Sequence, residues 1–310
     1  MLHAALLCGE GGGHPSLLSL RVHMTKSASL QKTIPATFTP AEREFAERFF
    51  AQVDADDLAQ LKPDQMTQLV REQMKLSHRI RYEPKISFTI HDKKGVAWVD
   101  RRTYVSLVTD DMAFLVDSVA AFLTERRLVI DLLFHPQLAV AYGEGGRVVF
   151  DPRGNGRQSH MYFVIRGALT QAQQEEIRAG LIEVIHDVRD GTRDWQAMRL
   201  RAIEAKQYVT SAPTKIFSRE EIAEYSEFLD YLYDNNFTFL GCRSYHFSNK
   251  NGHVSSTVVK GSGLGLLADD RKPAYISETG SPLPTAYQKL RTQMPPLYIS
   301  KSLSVAKAQG

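Results

Sequence analysis

The first ordered part of the chain shows amphipathic helical patterns. Phe45, Phe49 and Val53 recur every four residues, and a second apolar stripe follows Pro63. This recurrence is typical of helices with one buried face. The sequence Thr39-Pro-Ala-Glu42 supplies an N-cap hydroxyl, a proline at the first helical position and a glutamate that closes a capping box. We therefore predict that a helix begins just after Thr39.

The apolar period then changes from that of a helix to that of a strand. Ile86, Phe88 and Ile90 alternate with polar residues, and Asp92-Lys-Lys-Gly95 is typical of a turn into a further strand at 96–99. We predict a hairpin here. Residues 39–100 are thus interpreted as a helical segment plus a hairpin.

A regular series of strands and helices follows. The pattern predicts strands at 104–108, 129–142, 147–150 and 160–166, a helix around Leu115 to Leu123, and a second helix opened by a capping box at Thr170 and Gln173. The order β-α-β-β-α is most of a split-βαβ, ferredoxin-like domain, which we assign to residues 101–192.

The remaining segments flank this domain. Residues 193–217 read as a connecting helix and linker, and a capping box at Ser218 and Glu221 opens a second α/β unit over 218–310, which we expect to be incomplete. Residues 1–38, rich in Gly, Ser and Thr, are interpreted as a disordered leader. The predicted fold class is α+β: an ACT-like, ferredoxin-like domain between an N-terminal helical segment and this second unit.

Composition narrows the possible partners and compartment. The 310 residues are 43% hydrophobic, enough for a full core, and 38 Lys+Arg against 35 Asp+Glu give a charge of only +3. Such a charge provides no continuous basic surface, so we expect no nucleic-acid partner. No stretch approaches the roughly 20 apolar residues that span a bilayer. Two cysteines, Cys8 and Cys242, exclude a disulfide framework and favour the cytoplasm.

The candidate chemical motifs favour structural interpretations. Gly261-Ser-Gly-Leu-Gly265 lacks the spacing of a dinucleotide fingerprint, and the proline at 273 leaves little room for the required helix. Cys242 lies in an apolar strand, as a small buried residue commonly does. The histidines show no metal-ligand spacing. We predict no catalytic residue, no metal site and no cofactor site in this chain.

One segment leaves two interpretations open. Asp110 and Asp111 follow a predicted strand and precede a predicted helix, where carboxylates commonly act as caps. The same turn could instead surround a small polar pocket that holds the charged ends of an amino acid. The candidate effector-binding residues are Asp110, Asp111, Met112, Ala113 and Phe114.

The run from Thr109 to Ile130 resembles the ACT-domain pattern, in which D-x-P-G-L-L opens the first helix. Asp110 and Leu115 match this pattern, whereas Met112 stands in place of the proline and Ala113 in place of the glycine. In ligand-binding ACT domains the glycine lets the backbone approach the bound amino acid. The resemblance implies an ACT-like fold with an altered effector site.

Four ordered segments also resemble the N-terminal region of the large bacterial NAD-specific glutamate dehydrogenases. They are Asp57-Leu-Ala59, Val108-Thr-Asp-Asp-Met-Ala-Phe-Leu-Val-Asp-Ser118, Asn236-Phe-Thr-Phe-Leu-Gly241 and Gly261-Ser-Gly-Leu-Gly-Leu266. The resemblance implies a non-catalytic segment of a longer, cytoplasmic enzyme that interconverts glutamate and 2-oxoglutarate with NAD. NAD and the catalytic residues would lie outside this segment.

Three functions remain as hypotheses. The first is a regulatory and oligomerisation segment, whose partner is either another copy of the chain or the catalytic portion of the same enzyme. The second is a free-standing ACT-type module that senses a small amino-acid effector and regulates a separate partner. The third, an independent enzyme, ranks last because no nucleophile, metal set or cofactor loop emerges from the sequence.

Overall fold

The computed structural model describes residues 2–10, 34, 37–91, 101–211, 217–250, 253–269 and 297–301. The chain divides into two compact units, one of Leu18–Ile185 and one of Met1–Leu17 together with His186–Gly310. Both contain helices and a sheet, so the predicted mixed α and β class is confirmed.

The unit of residues 18–185 is built on helices and a seven-stranded sheet. The helices and strands are α1 (Pro40–Phe50), α2 (Ala55–Leu58), α3 (Pro63–Ser77), β2 (Arg79–Ile80), β3 (Lys85–His91), β4 (Arg102–Asp110), α4 (Leu115–Glu125), β5 (Ile130–Phe134), β6 (Gln137–Tyr142), β7 (Arg147–Phe150), β8 (Gly156–Arg166) and α5 (Gln171–Arg193), which continues into the other unit. The sheet order is β2-β7-β6-β8-β4-β3, and β5 also pairs with β8.

Strand β8 organises this sheet because it pairs with β4 on one side and with β5 and β6 on the other. All these pairings are antiparallel, so β4 and β5, which α4 connects, run parallel to each other. The edge beside β4 is taken by β3, with Ile86 opposite Leu107. Thus a strand that precedes the β-α-β-β-α series, and not one that follows it, completes that side of the sheet.

The predicted continuous strand at 129–142 is divided into β5 and β6. The division lies at His135 and Pro136, and it arises because proline has no N–H to donate to a neighbouring strand. The register nevertheless continues through the break: Phe134 lies opposite Tyr162, and Gln137 lies opposite Ser159. The prediction of one uninterrupted strand is therefore wrong in detail.

The two faces of the sheet pack against different helices. Phe45 and Phe49 of α1 and Leu69 of α3 share a core cluster with Leu138 and Tyr162 of the sheet. The opposite face carries Val105, Leu107, Phe163 and Ile165 at 0% exposure, and the helices α4 and α5 bury Val119 and Leu181 to the same degree. Alternating strand residues therefore serve two separate helical layers.

The other unit contains α6 (Trp195–Thr210), α7 (Arg219–Tyr231), β1 (Leu2–Glu10), β9 (Phe237–Lys250), β10 (His253–Val258), β11 (Leu264–Gly265) and β12 (Leu297–Lys301). Its sheet has the order β10-β9-β1-β12, and β11 pairs with β9. Met198 and Ala202 of α6 share a core cluster with Leu229 of α7 and Phe239 of β9. The two helices and the sheet thus bury one common core.

The predicted disordered leader is wrong for Leu2–Glu10. This segment forms β1, which pairs antiparallel with β9 and parallel with β12, so its backbone has strand partners on both sides. A short apolar run suits a strand in such a central position. Ile34 and Phe38 are also buried. The rest of the leader, 11–33, and the predicted turn and strand at 92–99 lie outside the described residues.

The three predicted capping boxes are confirmed. Thr39 and Glu42 exchange backbone and side-chain hydrogen bonds at 2.8 and 3.2 Å, and Thr170 with Gln173 does the same at 2.9 and 3.3 Å. Ser218 and Glu221 form the third box, at 2.8 and 3.1 Å. Local sequence therefore fixes where α1, α5 and α7 begin.

Candidate functional site

The turn between β4 and α4 holds the five predicted site residues. Phe114 is the N-cap of α4 and has the left-handed backbone angles φ 63° and ψ 2°. A side chain with a Cβ rarely adopts this conformation, because the Cβ crowds the following carbonyl oxygen. The N-cap makes no side-chain hydrogen bond to the helix. The prediction that Asp110 or Asp111 caps α4 is wrong, since both precede the N-cap and bind elsewhere.

The Asp110 carboxylate is held by a buried arginine. Arg79, whose side chain is 0% exposed, donates to both carboxylate oxygens at 2.9 and 3.3 Å, and the backbone N–H of Tyr82 donates at 2.9 Å. This bidentate geometry is the strong form of a carboxylate ion pair. Asp110 therefore links the end of β4 to the chain that follows β2.

Asp111 belongs to a different polar network. Its Oδ1 accepts from Ser159 Oγ at 2.5 Å and from Gln137 Nε2 at 3.0 Å. Ser159 Oγ in turn lies 3.0 Å from Nε2 of His135. The two adjacent aspartates thus serve two separate sets of partners. The two aspartates are adjacent in the sequence, but their carboxylates bind different partners and do not form an acid/base pair.

The hydrogen bonds of Ser159 exclude a nucleophilic role for its hydroxyl. A serine hydroxyl donates one hydrogen bond, and the carboxylate of Asp111 can only accept, so His135 must donate to Ser159 through Nε2. An activated serine requires the reverse, with the imidazole accepting the hydroxyl proton. Burial lowers the pKa of His135, and the nearby carboxylates of Asp111 and Asp117 only partly oppose it.

Two buried hydroxyls on the elements that flank the turn have no partner within the described structure. Thr109 Oγ1 on β4 and Ser118 Oγ on α4 make no hydrogen bond, although the residues are 0% and 1% exposed. An unsatisfied buried hydroxyl is costly. The side-chain amide of Gln158, which lies opposite Asp110 on β8, is also unpartnered among the described residues.

The other predicted site residues contribute little polar chemistry. Met112 is half-buried, and Ala113 and Phe114 are exposed. Arg79, His135 and Ser159, which bind or adjoin the aspartates, were not predicted from the sequence. One signal was available, because the run Arg157-Gln-Ser-His160 places four polar residues inside a strand that is otherwise apolar.

The glycine-rich run forms a structural turn, as predicted, and opens no helix. Gly265 has φ +59°, and a Cβ there would lie 2.4 Å from the carbonyl oxygen of Leu240. Its N–H donates to Asp194 at 2.9 Å. The buried guanidinium of Arg243 donates to the carbonyls of Leu267 and Asp269 just after the run. These hydrogen bonds engage backbone groups in and after the loop with side chains of the same protein.

Cys242 lies in the interior of the unit that contains β9. Cys242 is 0% exposed in a core cluster, so its predicted burial is confirmed, and this burial raises the pKa of its thiol to about 11. Over the part of the chain that the structure describes, no three His, Cys, Asp or Glu side chains gather in a group that could hold a metal ion. None of the described helices has both the length and the apolar character to cross a bilayer.

Comparison with known proteins identifies the relatives of this chain. Residues 45–181 match the family model described as "Glutamate dehydrogenase, ACT1 domain". The NAD-specific glutamate dehydrogenase of Halomonas elongata is 29% identical over 241 residues, and that of Pseudomonas aeruginosa is 28% identical over 231 residues. The resemblance to the NAD-specific glutamate dehydrogenases is confirmed. These matches cover 74% and 72% of the chain but only 15% and 14% of the relatives.

The ACT1 match contains the whole turn from Asp110 to Phe114 and both polar networks around it. Two further segments that carried the glutamate dehydrogenase resemblance lie outside it and meet in the other unit. Gly265 pairs with Gly241, and Leu264 pairs with Cys242. A Cβ on Gly241 would meet the Leu267 side chain at 3.0 Å. Close backbone packing thus accounts for glycines in both segments.

Proposed function

We propose that this chain is a non-catalytic regulatory and oligomerisation segment of an NAD-dependent glutamate dehydrogenase. The observation that carries the proposal is the match of residues 45–181 to the glutamate dehydrogenase ACT1 model. In the parent enzyme, glutamate and NAD would give 2-oxoglutarate, ammonia and NADH, and NAD would bind outside this N-terminal segment. The names of the two relatives, both NAD-specific glutamate dehydrogenases, motivate this assignment.

The chemistry of the described residues supports a non-catalytic role. The hydroxyl of Ser159 donates to a carboxylate, and the thiol of Cys242 is buried with a raised pKa. The backbone N–H of Gly265 in the glycine-rich loop donates to the side chain of Asp194. These groups are used for structure, which suits a segment that positions other parts of an enzyme.

The strand order supports an ACT-like, ferredoxin-like fold. A ferredoxin-like sheet places the third strand of the βαββαβ series between the first two and the fourth at the edge beside the first. Here β8 lies between β4 and β5, and β3 occupies that edge. We propose that β3 substitutes for the missing fourth strand. Residues 101–192 remain our proposed limits of this domain.

We propose two kinds of protein partner: another copy of this chain, or the catalytic portion of the same enzyme. ACT-like units commonly associate, and a regulatory segment acts through such contacts. The cysteine usage and the small net charge favour a cytoplasmic enzyme without nucleic-acid or membrane partners.

Two measurements on the purified chain test this proposal. With glutamate and NAD, we expect no formation of NADH. Sedimentation velocity should show association that increases with protein concentration. Glutamate-dependent NADH formation that co-elutes with the chain would contradict the non-catalytic role. A species that stays monomeric at every concentration would contradict self-association.

A second candidate function, binding of a small amino-acid effector at the β4–α4 turn, is favoured by one observation. The N-terminus of α4 lacks a side-chain cap, and the unpartnered hydroxyls of Thr109 and Ser118 belong to the two elements that the turn connects. Helix N-termini attract carboxylates. An effector would therefore place its carboxylate at α4 and its ammonium group near Asp111. Met112, Ala113 and Phe114 would line the turn.

Calorimetric titration with glutamate, aspartate and the other amino acids tests this second function. We expect heat with one ligand class, loss of that heat in Asp111→Asn, and retention in the control Glu183→Gln, which alters an exposed carboxylate on α5. Circular dichroism would verify that each variant is folded. Folded protein that gives no heat with any amino acid would eliminate effector binding while leaving the oligomerisation role intact.

A further inference from the structure

Helix α7 presents an acidic and aromatic face to solvent. Glu220, Glu224 and Glu227 recur at intervals of four and three residues, so they lie on one side of the helix. Phe228 and Tyr231 border this stripe with exposures of 45% and 51%. We call these five residues the acidic face of α7. An exposed pair of large aromatic side chains beside like charges is typical of a surface that binds a partner.

The acidic face is unfavourable for α7 on its own. Carboxylates spaced three or four residues apart repel each other on a helix surface. Within the described residues, Glu220, Glu224 and Glu227 form no ion pair, whereas Asp230 of the same helix accepts from Lys206 at 2.6 Å. Leu229 is the buried residue of the helix. A partner that neutralised the three carboxylates would remove this repulsion.

A surface of opposite charge lies on the seven-stranded sheet. Ala141 pairs with Val149, and Ala139 pairs with Arg157, so these four residues share one face. Arg147 lies two residues before Val149 and points to the same side. Val149 is 42% exposed, and both arginines are exposed. We call these five residues the basic strip.

The basic strip combines exposed and half-buried residues on a sheet whose other face is buried. Val140 and Val148, the alternate residues of the same strands, are 0% and 1% exposed. Ala139 and Ala141 have small side chains, so the surface between the two arginines is shallow. Within the described part of the chain, neither Arg147 nor Arg157 forms a side-chain ion pair. The strip therefore offers an apolar base and two available cations.

The two surfaces are also comparable in length. The acidic stripe from Glu220 to Glu227 spans about 10 Å at about 1.5 Å per residue, and the long side chains at its ends extend this reach. The strand spacing and rise place the Cα atoms of Arg147 and Arg157 about 16 Å apart. A helix lying across the strip would thus bring both ends of its acidic stripe within reach of an arginine.

We propose that the acidic face of α7 docks on the basic strip of a second copy of this chain. The aromatic rings would cover Ala139, Ala141 and Val149, and the carboxylates would pair with the arginines. This contact is heterologous, because two different surfaces meet. The inference rests on the proposed oligomerisation role and specifies its interface.

Charge reversal tests the contact in the purified chain. Glu224→Lys with Glu227→Lys, and separately Arg147→Glu with Arg157→Glu, should each weaken self-association at least tenfold in sedimentation equilibrium. A chain that carries all four substitutions should recover it, as should a mixture of the two double variants. Glu176→Lys with Glu183→Lys, on the exposed side of α5, is the matched control and should have little effect. Thermal unfolding would verify that every variant is folded.

The outcomes separate this inference from the proposed function. If the natural chain associates and neither reversal weakens it, the docking contact is wrong while the oligomerisation role stands. Loss in both double variants without recovery in the combined variant would also overturn the pairing of these two surfaces. A natural chain that is monomeric throughout would overturn the oligomerisation role and this inference together. Recovery on mixing would support both.

Discussion

Arg79 and Asp110 form a hydrogen-bonded ion pair in which the guanidinium is fully buried. The pair joins the end of β4 to β2, with N–O distances of 2.9 and 3.3 Å. Tyr82 adds a backbone hydrogen bond to the same carboxylate at 2.9 Å. An aspartate that the sequence suggests as a helix cap or an effector ligand is therefore already engaged inside the protein.

Removing one partner of this pair should be strongly destabilising. In Arg79→Met the Asp110 carboxylate stays largely buried without its cation, and we expect the free energy of unfolding to fall by about 3–5 kcal/mol. Urea denaturation with a constant m value would measure the loss.

The exposed pair of Glu83 and Lys85, 3.8 Å apart, is the control for that prediction. Glu83→Gln should change the free energy of unfolding by no more than about 0.5 kcal/mol. Equal effects of Arg79→Met and Glu83→Gln would contradict the importance of burial.

The left-handed backbone of Phe114 should make glycine favourable at this position. Phe114→Gly and Phe114→Ala both remove the ring, but only glycine adopts φ 63° without strain. We expect the glycine variant to be about 1 kcal/mol more stable than the alanine variant. Thermal or urea unfolding of the two variants would measure the difference. Equal stabilities would show that the turn relaxes in solution.

His160 should make the protein less stable as the pH falls. The ring is fully buried, with Nδ1 2.9 Å from the Gln73 side-chain oxygen, and burial lowers its pKa from 6.5 to about 3. Below pH 6.5 the unfolded chain binds a proton at this histidine that the folded chain does not bind. The free energy of unfolding is therefore highest above pH 6.5 and decreases as the pH falls from 6.5 toward 3. We expect a contribution on the order of 1–2 kcal/mol between pH 7 and pH 5.

Unfolding free energies of the natural chain and of His160→Gln at several pH values would test this dependence. The variant should show a shallower pH dependence, whatever its absolute stability. His186→Gln, at an exposed position of α5, is the control and should leave the slope unchanged. The same slope in all three proteins would contradict the assignment to His160.

Gly261 and Gly265, two of the three glycines in the loop before Leu266, should differ in their tolerance of alanine. Both have positive φ, but a Cβ at Gly265 would meet the Leu240 carbonyl oxygen at 2.4 Å, whereas one at Gly261 meets nothing within 4 Å. We expect Gly261→Ala to cost about 1 kcal/mol and Gly265→Ala at least about 2 kcal/mol. Urea denaturation would measure both. A smaller cost at Gly265 would contradict the close packing of β9 and β11.

Local sequence determined where many elements begin and which faces they bury. The capping boxes at Thr39, Thr170 and Ser218 formed as predicted, because each depends on residues only three positions apart. The apolar periods likewise predicted the buried stripe of α1 and the strand β3. The break at Pro136 was also readable, since proline cannot donate to a strand.

The partners of Asp110 and Asp111 were decided only by the tertiary structure. Arg79 is 31 residues from Asp110 along the chain, and Ser159 is 48 residues from Asp111. Neither separation leaves a local pattern in the sequence. The adjacent positions send their carboxylates to different networks because β4 ends at Asp110 and the chain turns at Asp111.

The sequence by itself determined the mixed α and β class, the main helices and strands, and the resemblance to NAD-specific glutamate dehydrogenases, because these depend on local periods and short motifs. The tertiary structure decided which strands pair. It placed β3 at the edge beside β4 and paired β1 with β9 and β12. It also decided which carboxylates are buried and which stay exposed. Such pairing follows from competition among distant segments for hydrogen bonds and apolar cover, which no local pattern encodes.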